Sequence, residues 1–187
     1  MGALPKANMA VPEFLSWWDK HGGDARFELV DGIVYAMGRD RMSHNRAKFR
    51  AARCLEDAIS AAKLPCTTYV DGIGVSPNNK NYRLPDAAVN CGPEGADGAI
   101  LPNPVIVVEV VSPSSEERDV HAKLRDYFAI KSIAHYLIIY DDRRYVVHHR
   151  RKGESDEVDT SFISSGVIDL SPPGMRVAVS GLLGSGA

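Results

Sequence analysis

The run of residues 104–111 constrains the fold of this chain more than any other feature. Its sequence, PVIVVEVV, is apolar except for Glu109, and proline and serine residues bound it. A short continuous apolar run of this kind predicts a strand that is buried on both faces of a sheet. A lone carboxylate in such a strand is costly unless it is paired, hydrogen-bonded or bound to a metal. Glu109 therefore needs a partner.

Two other segments offer partners for Glu109. Asp86 lies in a second apolar run, predicted to be a strand over 84–90, and Lys123 lies on an amphipathic helix predicted over 117–130. Phosphodiester hydrolysis needs a hard cation at the phosphate and a positive group near the attacking or developing oxygen. Two carboxylates usually suffice for Mg²⁺, because this ion keeps several of its waters. Two acids and a lysine therefore indicate a magnesium-dependent phosphodiesterase site.

Each of these residues also has a purely structural interpretation, which the sequence leaves open. Asp86 could cap a loop, and Glu109 could accept hydrogen bonds from backbone groups or from the serines that follow its strand. Lys123 lies four residues after Asp119, so the two could form a surface ion pair on one helix face.

The order of predicted elements is that of a mixed α/β protein. Helices are expected over 12–21, 43–63 (capped by Ser43) and 117–130, and Asp31-Gly32 predicts a hairpin. Further strands are predicted on either side of Asp71-Gly72 and over 84–90, 105–111, 134–140, 145–149, 161–164 and 176–179, with a loop over 76–82. The strand–helix–strand unit over 105–140 predicts a parallel pair, and hence a mixed β-sheet flanked by helices.

Composition narrows the class of protein. A chain of 187 residues with 44% hydrophobic residues is expected to form one domain over 1–187. It has no apolar run long enough to cross a membrane and no secretory signal at its start, so we expect a cytoplasmic protein without a membrane partner. Cys54, Cys66 and Cys91 form no zinc or disulfide pattern and are predicted to be reduced thiols.

Charge is uneven along the chain. The net charge of −2 does not favour a strong non-specific nucleic-acid binder, although a metal-dependent nuclease stays open because bound cations offset acids in its site. Residues 39–53 carry six Lys and Arg residues against one Asp, and Arg46 is a candidate contact to the nucleic-acid backbone. A solvated helix face is the competing interpretation.

Histidines offer two further candidates. His44 starts the basic helix and could contact a phosphate or a metal-bound water, or could have no such role. His148 and His149 are adjacent in a predicted strand, so they point to opposite faces, and we reject a shared zinc site.

Several segments together resemble a known family. They are FELVDG at 27–32, His44, LPD at 84–86, VVEVVSPSS at 107–115 and RDVHAKLRDY at 118–127. The chain resembles the PD-(D/E)XK, or restriction-endonuclease-like, superfamily, and most closely its Uma-two branch, over about residues 14–170. The segment from 109 to 127 is the specific part of the match, since Pro-Asp alone is common.

The resemblance implies a restriction-endonuclease-like fold in which Asp86 and Glu109 bind Mg²⁺ or Mn²⁺. It also implies a lysine that orients or activates water, which in the wider superfamily lies two residues after the acid. Val111 occupies that position here, so Lys123 on the following helix becomes the candidate. The resemblance further favours Glu28 as a third acid, with a solvent-facing strand acid as the alternative. Tyr127, one turn after Lys123, is a candidate lining residue, with core packing as the alternative.

These expectations combine into a metal-dependent endonuclease that hydrolyses phosphodiester bonds in DNA, with a homodimer as a plausible assembly. Two alternatives stay open. One is a catalytically inactive nucleic-acid-binding module on the same fold, which the missing strand lysine would mark. The other is a protein-interaction module without a nucleic-acid role, which the net negative charge would favour.

Overall fold

A computed structural model gives the fold of the chain. The structure describes residues 8–93, 98–111, 117–153 and 155–184, without the side chains of 117–120. The helices are α1 (Val11–His21), α2 (Met42–Ala62), α3 (Glu117–Ala129) and α4 (Val179–Leu183). The strands are β1 (Phe27–Val30), β2 (Ile33–Ala36), β3 (Cys66–Val70), β4 (Val75–Asn78), β5 (Asn81–Arg83), β6 (Ala87–Cys91), β7 (Pro104–Val110), β8 (His135–Tyr140), β9 (Tyr145–Arg151), β10 (Val158–Ile163), β11 (Val167–Leu170) and β12 (Met175–Ala178).

A six-stranded mixed sheet forms the centre of the fold, with strand order β10-β9-β8-β7-β6-β3. Its β7 and β8 strands are parallel and α3 connects them, which confirms the predicted crossover unit. Every residue of β7 is buried, as its continuous apolar run requires. The fold is therefore the predicted α/β arrangement of a mixed sheet flanked by helices.

Helices cover both faces of this sheet. On one face, Ala51 and Leu55 of α2 pack in one apolar cluster with Ile106 and Val108 of β7. On the other face, Tyr127 of α3 packs in a second cluster with Val107 of β7 and with Tyr136 and Ile138 of β8. The alternation of β7 between these clusters puts Glu109 on the α3 face.

A smaller four-stranded sheet, β2-β1-β5-β4, packs against α1. Its β1–β2 hairpin turns at Asp31 (φ 50°) and Gly32 (φ 79°), as the Asp-Gly signal predicted. Phe14 of α1 packs against Tyr82 of β5, with ring centroids 5.5 Å apart. This sheet brings β1, and with it Glu28, towards the central sheet.

The strands on either side of Asp71-Gly72 do not pair with each other. Both residues have positive φ, but β3 pairs with β6 and β4 pairs with β5, so this turn connects two sheets. The loop predicted over 76–82 is wrong, because it holds most of the β4–β5 pair. Pro77 is accommodated because β4 is an edge strand.

Two predictions of local detail are also wrong. Helix α2 begins at Met42 with Arg41 as its N-cap and no side-chain cap hydrogen bond, so Ser43 lies inside the helix. Cys66 and Cys91 form a disulfide and are not reduced thiols, while Cys54 is free. These two cysteines lie directly opposite each other on β3 and β6, a proximity that sequence spacing does not reveal.

The serines that follow β7, considered above as donors to Glu109, lie outside the described residues. Within the described parts of the chain, no helix is both long enough and apolar enough to cross a membrane.

Candidate functional site

Glu109 lies on β7 at the centre of the large sheet, and Asp86 lies in the bend just before the neighbouring strand β6. Strands β6 and β7 are antiparallel with Ala87 opposite Val108, so Asp86, just before β6, comes level with Glu109. Asp86 Oδ2 accepts a hydrogen bond of 2.7 Å from the backbone N–H of Val110. The two predicted acids are thus brought together, and both are buried.

Two side chains of α3 contact Glu109. The Nζ of Lys123 lies 2.9 Å from Glu109 Oε1, and the hydroxyl of Tyr127 donates to the same oxygen at 2.5 Å. Lys123 and Tyr127 are one turn apart, so they share one face of α3, and the crossover lays that face over β7. Lys123 therefore pairs with a buried acid, whereas its alternative partner Asp119 has a side chain outside the described residues.

Glu28 approaches the same lysine from β1. Its Oε1 lies 3.6 Å from Lys123 Nζ and accepts a 3.0 Å hydrogen bond from the N–H of Leu84. Its Oε2 lies 3.1 Å from Arg83, which also contacts Asp126 at 2.7 Å. Glu28 is buried on the opposite face of β1 from its apolar neighbours, as the alternation of side chains along a strand requires.

His44 and Lys48 reach Asp86 from α2. His44 Nε2 lies 2.8 Å from the carbonyl oxygen of Val110 and 3.5 Å from Asp86 Oδ2, and its Nδ1 lies 3.1 Å from Asp40. A carbonyl oxygen only accepts and a carboxylate is an acceptor when ionised, so both ring nitrogens act as donors and the imidazole is charged. The predicted site residue His44 is thus beside Asp86.

Sequence reasoning counted Lys48 as part of the basic segment without singling it out. The structure buries it, with Nζ at 3.0 Å from Asp86, 2.9 Å from Asp40 and 2.7 Å from Asp71. The usable signal was its position one helical turn after His44, on the same face of α2. The buried ion pairs of Arg83 with Glu28 and Asp126 had no comparable signal, because they join three elements far apart in sequence.

The charges of these neighbours set opposite pKa shifts. Burial alone would raise the pKa of Asp86, but the His44 hydrogen bond and the Lys48 charge outweigh it and hold that pKa below its usual value. Burial raises the pKa of Glu109 above its usual value, and the charges of Asp86 and Glu28 add to the effect against that of Lys123. The hydrogen bond to Asp86 raises the pKa of His44 to about 9, although burial opposes it. Asp86 is therefore held in its ionised form, whereas the protonated form of Glu109 is favoured.

Arg46 lies elsewhere. It is exposed two residues after His44, about 200° further round α2, and lines a shallow depression of about 300 Å³ with Phe49 and Arg53. The structure therefore does not bring Arg46 together with the acids. A different cavity of about 230 Å³ has His44, Val110 and Asp141 in its lining.

The donor set suits a hard divalent cation in part. Asp86 and Glu109 offer carboxylate oxygens, the ligands that Mg²⁺ and Mn²⁺ take in proteins. In the part of the chain that the structure describes, no group of three or more His, Cys, Asp or Glu side chains is arranged to hold a metal. A metal at this site would therefore rest on the two carboxylates, with waters completing its coordination.

Comparison with known proteins agrees with this fold. A putative nuclease belonging to DUF820 from Anabaena variabilis has a solved structure that superposes with a TM-score of 0.66 at 12% identity, covering 84% of this chain and 89% of that one. The two proteins thus share one α/β fold. Residues 11–179 match the Uma2 family, described as "Putative restriction endonuclease", and the chain belongs to this family. An uncharacterized protein from Synechocystis sp. is 24% identical over 178 residues, which are 95% of this chain and 92% of that one.

Proposed function

We propose that this protein is a metal-dependent endonuclease that hydrolyses phosphodiester bonds in DNA with Mg²⁺ or Mn²⁺. Asp86 and Glu109 would hold the metal, Lys123 would orient the attacking water, and Glu28 would complete the acidic cluster. Membership of the Uma2 family supports a nuclease-like activity, and the buried acids support this choice of site.

The observation that carries the proposal is the contact between Lys123 and Glu109. Where the wider superfamily has a lysine on the strand, this chain has Val111, whose backbone N–H bonds to Ile139. Lys123 supplies an amine from α3 instead, 2.9 Å from the carboxylate. A long lysine side chain that ends at the strand acid is the arrangement the proposed chemistry needs.

The remaining residues act on the acids and the phosphate. A bound metal would polarise the phosphate and lower the pKa of its water. Lys123 provides positive charge beside the attacking oxygen, and Tyr127 holds Glu109 by its hydroxyl. Arg83 fixes Glu28 through its 3.1 Å contact. The two N–H groups of His44 are taken by Asp40 and by the Val110 carbonyl, so its charged imidazole would attract a phosphate through charge alone.

The test is cleavage of plasmid and single-stranded DNA in Mg²⁺, Mn²⁺ or EDTA. We expect metal-dependent cutting by the wild type, and a loss of at least about 100-fold in Glu109→Gln and Asp86→Asn, since each removes a ligand charge without changing shape. Lys123→Met should retain metal binding, followed by calorimetric titration with Mn²⁺, and lose cutting.

Asp57→Asn is the matched control, because Asp57 is an exposed acid on α2 whose side chain is 73% exposed. It should cut like the wild type. Cutting that survives both Glu109→Gln and Asp86→Asn would contradict the proposed site, and equal cutting in EDTA would contradict metal dependence.

One observation favours a second candidate, a DNA-binding module that does not cut. Asp86 already contacts Lys48, His44 and the N–H of Val110, so a metal would compete with internal cations for this carboxylate. Such a module would bind DNA in EDTA and in Mg²⁺ alike, and no metal would yield products.

A further inference from the structure

A row of three aromatic rings crosses one end of the large sheet. Tyr140 of β8 stacks on Tyr145 of β9, with ring centroids 4.6 Å apart and planes at 20°. Tyr145 in turn lies 6.2 Å from Phe162 of β10. The row, hereafter the aromatic row, runs from a half-buried ring to an exposed one, because the Phe162 side chain is 74% exposed.

Strand register puts the aromatic row on the same face as Glu109. Glu109 is paired with Ile138, and Tyr140 lies two residues further along β8, so its side chain leaves the same face. Phe162 is paired with Val147, which belongs to the apolar cluster on that face. Strand geometry puts the Cα of Tyr140 roughly 8 Å from the Cα of Glu109. The aromatic row thus begins beside the proposed catalytic acids and leads away from them.

A positive charge accompanies the rings. The guanidinium of Arg143 lies over Tyr140, with its central carbon 5.8 Å from the ring centroid, and the Arg143 side chain is exposed. Exposed aromatic rings next to an arginine form the combination that proteins use for unpaired nucleotides, in which bases stack on rings and the cation meets the backbone. Phe162 lies on the edge strand β10 and belongs to none of the apolar clusters of the described residues. Packing of the core therefore does not explain its exposed ring.

We propose that the aromatic row binds an unpaired nucleotide of the strand being cut, with a base stacked on Phe162 and Arg143 at a phosphate. This inference rests on the proposed nuclease function and adds the substrate class, which is single-stranded or frayed nucleic acid. A base inside a duplex presents no free face to a ring, so a closed duplex gains nothing from this contact.

Binding measured without cleavage tests the proposal. Fluorescence anisotropy in EDTA would compare a labelled oligothymidine strand with a blunt duplex, for the full chain and its variants. Phe162→Ala should weaken binding of the single strand by at least about fivefold, the lower end of what one stacked base contributes, and leave duplex binding unchanged. Phe162→Trp should keep the affinity, and its added emission should fall when the single strand binds.

Phe49→Ala is the matched control. Phe49 is 68% exposed on α2, which covers the other face of the sheet. It should bind both nucleic acids like the wild type. A loss of single-strand affinity in Phe49→Ala, with none in Phe162→Ala, would overturn the proposal and move the strand to α2.

Three further outcomes would overturn it for different reasons. If Phe162→Ala lowers the sedimentation mass of the protein and not its affinity, the β10 edge binds a second copy of the chain. If the wild type cuts DNA with Mg²⁺ while Phe162→Ala binds the single strand normally, only this inference fails. If the wild type neither binds nor cuts any nucleic acid, the proposed function fails with it.

Discussion

His44 and the His135–His148 pair are imidazoles largely removed from water in two regions of the molecule, and their neighbours make the first positively charged and the other two neutral. His44, beside Asp86 and Asp40, has its pKa raised to about 9 by the hydrogen bond to Asp86 although burial opposes it. Burial lowers the pKa of His135 and of His148 to about 4 each, and Arg150 adds to the effect. Burial therefore favours the neutral form of all three imidazoles, and in His44 the carboxylate of Asp86 outweighs burial and favours the charged form.

The hydrogen bonds of the pair follow from its neutrality. His135 Nε2 lies 2.8 Å from the carbonyl oxygen of Pro172, so this nitrogen carries the proton. Its Nδ1 is then an acceptor, and His148 Nε2 donates to it at 2.9 Å. The comparison shows two ways of accommodating buried polar groups, a charged network around Asp86 and a neutral chain of hydrogen bonds between β8 and β9.

The charged network should be the more sensitive of the two to the loss of one member. Lys48→Met removes the cation shared by Asp86, Asp40 and Asp71 and leaves the buried carboxylate of Asp86 without its lysine. We expect the free energy of unfolding, measured with urea, to fall by about 3–5 kcal/mol. Lys131→Met is the control, since its exposed pair with Asp156 should contribute less than about 1 kcal/mol. Equal losses of stability in Lys48→Met and Lys131→Met would contradict a special contribution of the buried network.

Breaking the neutral His135–His148 pair should lower the free energy of unfolding by less. His135→Phe keeps a ring of similar size but deprives His148 and the Pro172 carbonyl of their partner. Leaving such groups unpaired predicts a loss of about 1–3 kcal/mol in the free energy of unfolding. His121→Phe, at an exposed position of α3, provides the comparison and should change stability little. A cost for His135→Phe as large as that for Lys48→Met would contradict the ranking.

Stability should also depend on pH from both sides, with an acidic and an alkaline limb. The folded pKa of His44 is above its unfolded value of 6.5, so its contribution is present below 6.5 and is lost as pH rises towards 9. The folded pKa values of His135 and His148 are below 6.5, so their contribution is present above 6.5 and is lost as pH falls towards 4. Thermal midpoints recorded from pH 4 to 9 should peak between these limits, as the two directions require.

Variants separate the two limbs of this profile. His44→Gln should flatten the alkaline limb alone, and His135→Phe the acidic limb alone. A profile in which either variant flattens the opposite limb would show that the histidines titrate in the reverse sense.

The parts of the fold that the sequence predicted are those with a strong local pattern. The apolar run of β7, the helical spacing of α3 and the Asp31-Gly32 turn each carry their own signal, and together they determined the crossover and the hairpin. Strands β4 and β5 carry mostly polar residues without alternation, so their pairing depends on tertiary contacts.

The residues of the candidate site also fall into those with a local sequence signal and those without one. A lone acid in a buried strand identified Glu109, and helical spacing connected Lys123 with Tyr127. The joint contacts of Lys48 with Asp40 and Asp71 link a helix to two loops, and no pattern within one segment encodes such an arrangement. The roles of these residues in catalysis stay predictions until the variants are measured.

The disulfide between Cys66 and Cys91, 25 residues apart in the sequence, has a consequence for how the chain responds to a protease. It closes a covalent ring that contains the β4–β5 hairpin and Asp86. The turns at residues 71–72 and 78–80 are exposed, so they are accessible places for a cut within this ring. A molecule nicked there would keep its full mass on a denaturing gel, and would separate into two fragments only after a reducing agent was added.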